Sequence, residues 1–257
     1  MSGESGESSG HLSMEETDVI PPHPYESRLS SFKPEEWRLK SRVPRPLLPL
    51  EDSKFILVDT QVLLDEMVAR MNKENEVGGT LECHSYRTFH GICCLLQIST
   101  RTEDYIIDTI ALKGCLNVLN EIFTDTNVLK VMHRATRDLE MMQKHLGLYV
   151  VNLFDTWTAG KLLSAQKALG SLADLVREYC SVKFDVDHQT SDWQIRPLPN
   201  DMVKYARQKV HYLLSAYDML RNDLIEKHQI WELYEECTKM CTVVWYPGIT
   251  LSLIFLA

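Results

Sequence analysis

Three short apolar segments in series, followed by apolar segments that alternate with helix-forming ones, constrain the fold of this chain most. Residues 77–83, 92–98 and 105–107 are rich in Val, Ile, Leu and Tyr, a composition typical of β-strands. Short turns separate the last two segments, so we expect them to pair as antiparallel neighbours. Further strands are expected at 128–132 and 150–154. This order predicts an α/β protein with an RNase H-like mixed central sheet and helices on both faces.

Capping residues and apolar periodicity mark the helices. Thr60 follows a short strand at 55–58 and is placed to cap a helix in which Leu64, Met67 and Met71 share one face. Gly147 is expected to end a later helix. The other helices are predicted at about 116–123, 136–146, 156–163, 171–180 and 199–225.

The N-terminal part of the chain differs in composition from the rest. Residues 1–22 form an acidic, polar stretch that we expect to be disordered. Prolines punctuate residues 23–50, which predicts an extended arm lying on the folded domain. The domain itself is expected at 51–227. No apolar run approaches the roughly 18 residues that a membrane-spanning helix needs, so no membrane association is expected.

Charge and cysteine content limit the possible functions. The formal net charge of −9 is unusual for a nucleic-acid binder, so any contact with nucleic acid must come from a local basic patch. The seven cysteines are odd in number and irregularly spaced, which favours a reducing compartment over a disulfide framework. Cys237 and Cys241 lie one helical turn apart, and we expect buried thiols there rather than a zinc site.

Three groups of motifs carry residues of chemical interest at informative spacings. Together they resemble the three exonuclease motifs of the DEDD family, in the subclass with a tyrosine in the last motif. On these motifs the chain resembles the RNase D-type 3′–5′ exoribonuclease domain of the exosome component 10 family. The likeness extends from about residue 23 to residue 227. The motifs occupy residues 79–89 and 96–104, 131–140 and 147–156, and 192–199 and 205–214.

The chemistry of such a site has simple geometric requirements. Two divalent cations about 4 Å apart activate the attacking hydroxide and stabilise the leaving oxygen, and hard cations of this kind prefer carboxylate oxygens. Residues 80 and 82 of a strand point to the same face. Residues 205 and 209 of a helix also share a face, and residue 138 starts a helix between these elements.

Two of the four metal-binding carboxylates that the resemblance implies are missing. Glu82, Asp138 and Tyr205 match the family's residues, whereas Thr80 and Lys209 stand where the family has aspartates. The four carboxylates become two carboxylates and one ammonium, so the formal charge falls from −4 to −1. By resemblance the cofactor is Mg²⁺, and we expect its binding here to be weak or absent. Lys209 is expected to pair with Glu82 or Asp138 in place of a metal ion, or else to point into solvent.

A cluster of basic residues near the second and third motifs predicts a surface that binds the phosphates of RNA. Arg134, Arg137, Lys204 and Arg207 are expected to form, with Lys209, a local rim that binds phosphate without cleaving it. The alternative is a solvated face whose charges are paired within the protein.

Other polar residues near the motifs are interpreted as structural. His133 ends a buried strand and is expected to be a satisfied core histidine. Asp155 is expected to cap the following helix rather than bind metal. Asp192, Trp193 and Arg196 are expected to form a packing and ion-pair cluster.

The sequence therefore predicts a 3′–5′ exoribonuclease-type domain that is catalytically impaired and binds RNA 3′ ends or a protein partner. One alternative is an active Mg²⁺-dependent exoribonuclease, rescued by a substrate oxygen or by Glu140; the other is a non-enzymatic protein-interaction module. By resemblance the role is RNA 3′-end processing and degradation, with the nuclear exosome as partner and the nucleus as location, otherwise the cytoplasm. An HRDC domain follows in the family, so residues 228–257 are expected to be a truncated linker towards a missing domain.

Overall fold

The computed structural model describes residues 22–84, 91–164, 170–183 and 186–245. Within these ranges a six-stranded sheet has the spatial order β1-β4-β3-β2-β5-β6. The strands are β1 (Lys54–Val58), β2 (Glu76–His84), β3 (Ile92–Ser99), β4 (Glu103–Asp108), β5 (Leu129–Met132) and β6 (Leu153–Asp155).

Strand directions confirm the predicted mixed sheet. β3 pairs antiparallel with both β2 and β4, as expected for segments joined by short connections. β1 pairs parallel with β4, and β5 pairs parallel with β2 and β6. β2 is therefore a central strand, and its residues are buried on both faces along most of its length.

Helices cover both faces of the sheet, as the α/β pattern predicts. One core is large, and a smaller one lies where Cys94, Leu95 and Ile106 pack against Trp193 and Met202. The described residues contain short 3₁₀ helices at Glu36–Leu39 and Leu116–Leu119 and a π-helical turn at Met142–Leu146. The α-helices are α1 (Glu26–Ser31), α2 (Gln61–Met71), α3 (Asn120–Phe123), α4 (Ala135–Met141), α5 (Thr156–Leu163), α6 (Leu172–Cys180), α7 (Asn200–His211), α8 (Leu213–Glu226) and α9 (Ile230–Thr242).

Two predicted elements are shorter than expected. The helix predicted at 199–225 is two helices, α7 and α8, which are separated at Tyr212, whose N–H bonds to the Val210 carbonyl. No Gly or Pro marks this break in the sequence. The strand predicted at 150–154 is limited to β6, because Asn152 adopts a left-handed conformation with φ of 61°.

Gly147 ends the π-helical turn with φ of 63°, which confirms its predicted capping role.

The N-terminal arm is held on the domain by polar contacts. It contains α1 and the first 3₁₀ helix besides extended backbone. The fully buried Arg38 donates to the carbonyls of Asn75 (2.8 Å) and Asn127 (2.9 Å). The backbone N–H of Arg45 donates to Asp218 at 3.1 Å. These bonds connect the arm to loops and helices that are distant in sequence.

The segment expected to be a linker contains α9, which packs on α5, α8 and β6. Leu233, Cys237 and Cys241 are buried in the main core, and the Asp155 N–H donates to the Cys237 sulfur at 3.3 Å. The prediction of buried thiols at Cys237 and Cys241 is confirmed. The predictions for residues 1–21 and for 246–257 lie outside the described residues. No helix in the described part of the chain has the length and apolar character to cross a bilayer.

Candidate active site

The five motif residues meet in one cavity of about 690 Å³. Thr80 and Glu82 project from the same face of β2, and Asp138 enters from α4. Tyr205 and Lys209 come from α7, which lies across β2, β3 and β4. Alternation along the strand and the i, i+4 spacing of the helix therefore converge as the sequence predicts.

Gly78 allows α7 and α8 to approach β2 closely. A Cβ atom at this position would lie 3.2 Å from the carbonyl oxygen of Val210 and 3.3 Å from the Cβ of Leu213. Any larger residue would push the helices away from the strand. The glycine thus helps to set the distance between Glu82 and Lys209.

Lys209 occupies the centre of the carboxylate site. Its Nζ lies 2.8 Å from Glu82 Oε1 and donates a hydrogen bond to the carbonyl of Leu81 at 3.2 Å. The predicted ion pair is confirmed, with Glu82 as the partner. The alternative in which Lys209 points into solvent is wrong, because its side chain is only 18% exposed.

Asp138 is held by β2 rather than by another charge. Its Oδ2 accepts hydrogen bonds from the Thr80 hydroxyl (3.1 Å) and from the Leu81 N–H (3.2 Å). Thr80 thus acts as a donor to the remaining aspartate. A hydroxyl in this role satisfies the carboxylate but adds no negative charge.

Burial and charge act in opposite directions on the three ionisable groups. Burial raises the pKa of Glu82 and that of Asp138, although Lys209 opposes both shifts. For Lys209 burial disfavours the charged form, but the carboxyl groups of Glu82 and Asp138 dominate and raise its pKa. Lys209 is therefore an ammonium at neutral pH.

The donor set does not fit the pair of divalent ions that the family's chemistry uses. A two-ion site needs several converging carboxylates, and the ranges that the structure describes contain no group of three or more His, Cys, Asp or Glu side chains arranged so that it could hold a metal ion. An ammonium lies against one of the two acids, where it repels a cation. The other acid already accepts two hydrogen bonds.

Asp155 has the structural role predicted from the sequence. His133 has it only in part, because its buried Nε2 has no hydrogen-bond partner in the described part of the chain and the residue lines the cavity. The His133 Nδ1 lies 2.9 Å from the Thr156 hydroxyl, and burial, with the nearby Arg134 and Lys209, lowers the pKa of His133 to about 4. Asp155 caps α5 by accepting from the Trp157 N–H at 2.9 Å. Asp155 also accepts from the N–H groups that begin α4.

Aromatic packing and an ion pair hold the residues of the last motif in place. Tyr205 is 5% exposed and stacks on Trp193, with ring centroids 5.8 Å apart. Trp193 is buried, as expected. Arg196 pairs with Asp108 across the sheet, at 2.9 Å for the Nη2–Oδ1 contact, rather than with the neighbouring Asp192.

The structure separates the four residues predicted as an RNA-binding rim. Arg134 and Arg137 line the cavity. Lys204 is exposed on α7 but is not among the lining residues in the described ranges. Arg207 lies under the arm, where its Nη2 donates to Leu50 O (2.7 Å) and Asp104 Oδ2 (3.1 Å).

Trp157 lines the cavity and was not singled out from the sequence. Two cations lie near its ring, with Arg134 at 5.1 Å and Lys161 at 4.6 Å from the ring centroid. The signal was available, since Trp157 sits in the first turn of a helix capped by Asp155 and Lys161 follows four residues later. Such a ring offers a stacking surface for a nucleobase.

Comparisons with known proteins agree with the fold and with the motifs. A profile of the 3′–5′ exonuclease family matches residues 55–225. The chain is 42% identical over 230 residues to exosome complex component 10 of Rattus norvegicus, covering 90% of this chain and 25% of that protein. It is 41% identical over 211 residues to the exosome complex exonuclease RRP6 of Saccharomyces cerevisiae, covering 81% and 28%.

A solved structure is similar over most of the chain. The catalytic core of RRP6 from Trypanosoma brucei superimposes with a TM-score of 0.83 at 34% identity, covering 86% of this chain and 61% of that one. The chain spans about a quarter of the length of the curated relatives it matches.

Proposed function

This chain belongs to the 3′–5′ exonuclease family, in its exosome component 10 type, and from that premise we propose that its cleft binds RNA 3′ ends and cleaves them weakly or not at all. The family is generally metal-dependent. The proposal is that Glu82 and Asp138 are the residues of an incomplete metal site, and that Mg²⁺ binding is weak or absent.

The observation that carries the proposal is the ion pair between Lys209 and Glu82. Its 2.8 Å separation puts an ammonium in contact with an acid that would otherwise be available to a cation. Two carboxylates and one ammonium leave a formal charge of −1, which is little to offset the dehydration of two divalent ions. The site therefore lacks the electrostatic basis of two-metal phosphodiester hydrolysis.

The remaining features of the cleft suit a ligand that is anionic and aromatic. Arg134 and Arg137 line the opening and offer charge-assisted contacts to phosphate. Trp157 and Tyr205 add aromatic surface at the same cavity. A nucleic-acid 3′ end, with alternating phosphates and bases, matches this combination better than an apolar ligand does.

The competing function is an active exoribonuclease in which Glu140 replaces a missing aspartate. Glu140 does line the cavity, which gives this alternative a structural basis. However, its carboxylate pairs with Lys144 on the next turn of the helix. Recruiting Glu140 to a metal would require that pair to break and the side chain to turn towards Asp138.

The decisive experiment compares RNA degradation by the natural chain and by the double variant Thr80→Asp, Lys209→Asp in Mg²⁺ and in Mn²⁺. Restoring two carboxylates should raise the cleavage rate more than about a hundredfold, equivalent to about 3 kcal/mol of transition-state stabilisation. Adding Asp138→Asn to the double variant should abolish the gain, which assigns it to this site.

Lys73→Asp serves as the control for the Lys209→Asp part of the double variant, because Lys73 is exposed on the surface away from the cleft and undergoes the same Lys-to-Asp charge change. It should cleave no faster than the natural chain. If the natural chain already degrades RNA as fast as the double variant, the hypothesis of impaired catalysis is wrong and the alternative of an active exoribonuclease is supported.

Partner and location form a separate part of the proposal. The similar rat and yeast proteins are named as belonging to the exosome complex, so we propose the exosome as a partner. We propose the nucleus as the location from the family resemblance. Co-purification of the tagged chain with exosome subunits from a nuclear extract tests this. If the chain binds a protein partner but no RNA, the interaction-module alternative is favoured.

A further inference from the structure

Two cysteine thiols meet across adjacent strands next to the cleft. Cys83 on β2 and Cys93 on β3 are directly paired in the sheet register, at a shift in the ladder between Glu82 and Cys83. Their sulfur atoms lie 3.2 Å apart. Both cysteines are free, so the contact is between two thiols.

The backbone already has the spacing that a disulfide needs. Directly opposed residues in an antiparallel pair have Cα atoms about 4.5 or 5.5 Å apart, and disulfides span about 4.4–6.8 Å between Cα atoms. Bond formation would bring the sulfurs from 3.2 Å to about 2.05 Å. The register shift at Cys83 gives β2 local freedom to make that small adjustment.

The two thiols differ in access to solvent. Cys83 is half-buried, whereas Cys93 is only 4% exposed and lies behind it. The contact with Cys83 and burial raise the pKa of the Cys93 thiol. An oxidant from solvent therefore reaches Cys83 first, and Cys93 is placed to react with the product.

We propose that Cys83 and Cys93 form a site of reversible oxidative modification, in which hydrogen peroxide converts the two thiols into a cross-strand disulfide. The proposal does not depend on whether the cleft cleaves RNA. It assigns the solvent-facing role to Cys83 and the resolving role to Cys93.

The reaction balances with one peroxide. The Cys83 sulfur attacks one peroxide oxygen, an S–O bond forms and the O–O bond breaks, and the departing hydroxide leaves as water with the Cys83 proton. The Cys93 sulfur then attacks the Cys83 sulfur, an S–S bond forms and the S–O bond breaks, and the second hydroxide leaves as water with the Cys93 proton. The two thiols lose two electrons and two protons, and the peroxide becomes two waters.

The neighbouring Cys94 is a matched control in the same strand. Successive strand residues point to opposite faces, and the Cys94 thiol donates to the Ile92 carbonyl at 3.5 Å instead of facing Cys83. Cys94→Ser therefore removes a buried thiol beside the pair and leaves the pair intact. The exposed Cys115 is replaced by Ser in every sample to prevent bonds between molecules.

The test treats the reduced, folded chain with a small excess of hydrogen peroxide, blocks the remaining thiols and maps the peptides by mass spectrometry. We expect the free-thiol content to fall by two, and a Cys83–Cys93 linked peptide to appear that a dithiol reductant removes. The Cys94→Ser variant should form the same link. Cys83→Ser and Cys93→Ser should not form it.

The parent chain alone decides the outcome even where a variant folds poorly. Cys83 oxidised to sulfinic acid while Cys93 is recovered with the blocking group would overturn the proposal. A link that joins either cysteine to a third one would also overturn it. Recovery of both thiols unmodified after the exposed cysteines of a control protein have reacted would do the same.

Discussion

At the scale of the residue, one side chain changes the chemistry of the cleft. Lys209 sits where an inward-facing helix position would otherwise supply a carboxylate, and its ammonium lies against Glu82. Removing these two charges from water is costly. Their attraction to each other and the hydrogen bond from Lys209 to the Leu81 carbonyl offset that cost. The buried carboxylate of Glu82 is thus neutralised by a cation of the chain itself.

Replacing Lys209 with Met should destabilise the fold by about 3 kcal/mol, because Glu82 is left buried without a partner. Burial already raises the pKa of Glu82, and losing Lys209 should raise it further. A carboxyl whose folded pKa lies above its unfolded value of about 4.3 stabilises the fold when it is protonated. The variant should therefore become more stable as pH falls and less stable as pH rises through the folded pKa.

Urea unfolding at several pH values measures this effect. The double variant Lys209→Met, Glu82→Gln should recover much of the stability and lose the added pH dependence. Lys204→Met, on the exposed side of the same helix, is the control and should change stability little. An unchanged stability in Lys209→Met would contradict a tightly coupled pair.

At the scale of the element, a buried charge cluster attaches α7 to β4 and to the arm. His211 Nδ1 lies 3.0 Å from Asp104 Oδ1, and its Nε2 lies 2.7 Å from the Leu48 carbonyl. Because both ring nitrogens face acceptors, the protonated ring, which donates from both, fits best. Burial opposes protonation, but Asp104 outweighs it and raises the pKa of His211, and His211 in turn helps to lower the pKa of Asp104.

His211→Gln should destabilise the chain by about 2 kcal/mol at pH 6, the usual scale for a hydrogen bond to a charged group. In the natural chain this contribution is fully present below the unfolded histidine pKa of about 6.5 and is lost as pH rises through the raised folded pKa. The difference between the two chains should therefore shrink above that pH. Thermal unfolding from pH 5 to pH 9 checks it, with the exposed His145→Gln as control; a pH-independent difference would contradict the charged cluster.

At the scale of the whole molecule, the distribution of charge decides where RNA can bind. The chain carries a formal net charge of −9, which repels a polyanion at long range. Of the basic residues predicted as an RNA-binding rim, Arg134, Arg137 and Lys209 line the cavity, but Lys209 is paired with Glu82 and Arg207 is paired with Asp104 away from the cavity. RNA binding should therefore depend on few phosphate contacts.

Single-stranded RNA should bind with a shallow salt dependence. Two phosphate contacts give a slope of log K against log salt of about −1.4, at about −0.7 for each contact on a single strand. Arg134→Asn with Arg137→Gln should bring the slope close to zero. Asn is chosen because Arg134 has φ of 55°, a conformation that Asn tolerates.

Filter binding between about 50 mM and 200 mM salt makes the measurement. Lys40→Gln with Lys73→Gln removes two exposed charges elsewhere and should leave the slope unchanged. A steep slope in the double arginine variant would place the RNA on another surface.

Much of the fold could be predicted because local patterns determine it. Short apolar segments gave strand positions close to those observed, and Thr60, Gly147 and Asp155 cap or end helices as their chemistry indicates. The convergence of residues 80 and 82 with 205 and 209 also follows from strand and helix periodicity alone. The break at Tyr212 carried no such signal, because no Gly or Pro lies there and the helical pattern is continuous across it.

The sequence by itself determined the order of the elements, the faces on which the motif residues lie and the loss of two carboxylates, since periodicity and residue identity are properties of the chain. Only the tertiary structure decided that Lys209 pairs with Glu82 rather than Asp138, that Arg207 binds Asp104, and that Cys83 touches Cys93. The first two of these contacts join side chains more than 100 residues apart, and the third joins neighbouring strands only ten residues apart. Which partner lies within reach depends on the packing of α7 on the sheet and on the register of β2 against β3, and neither is set by any local segment.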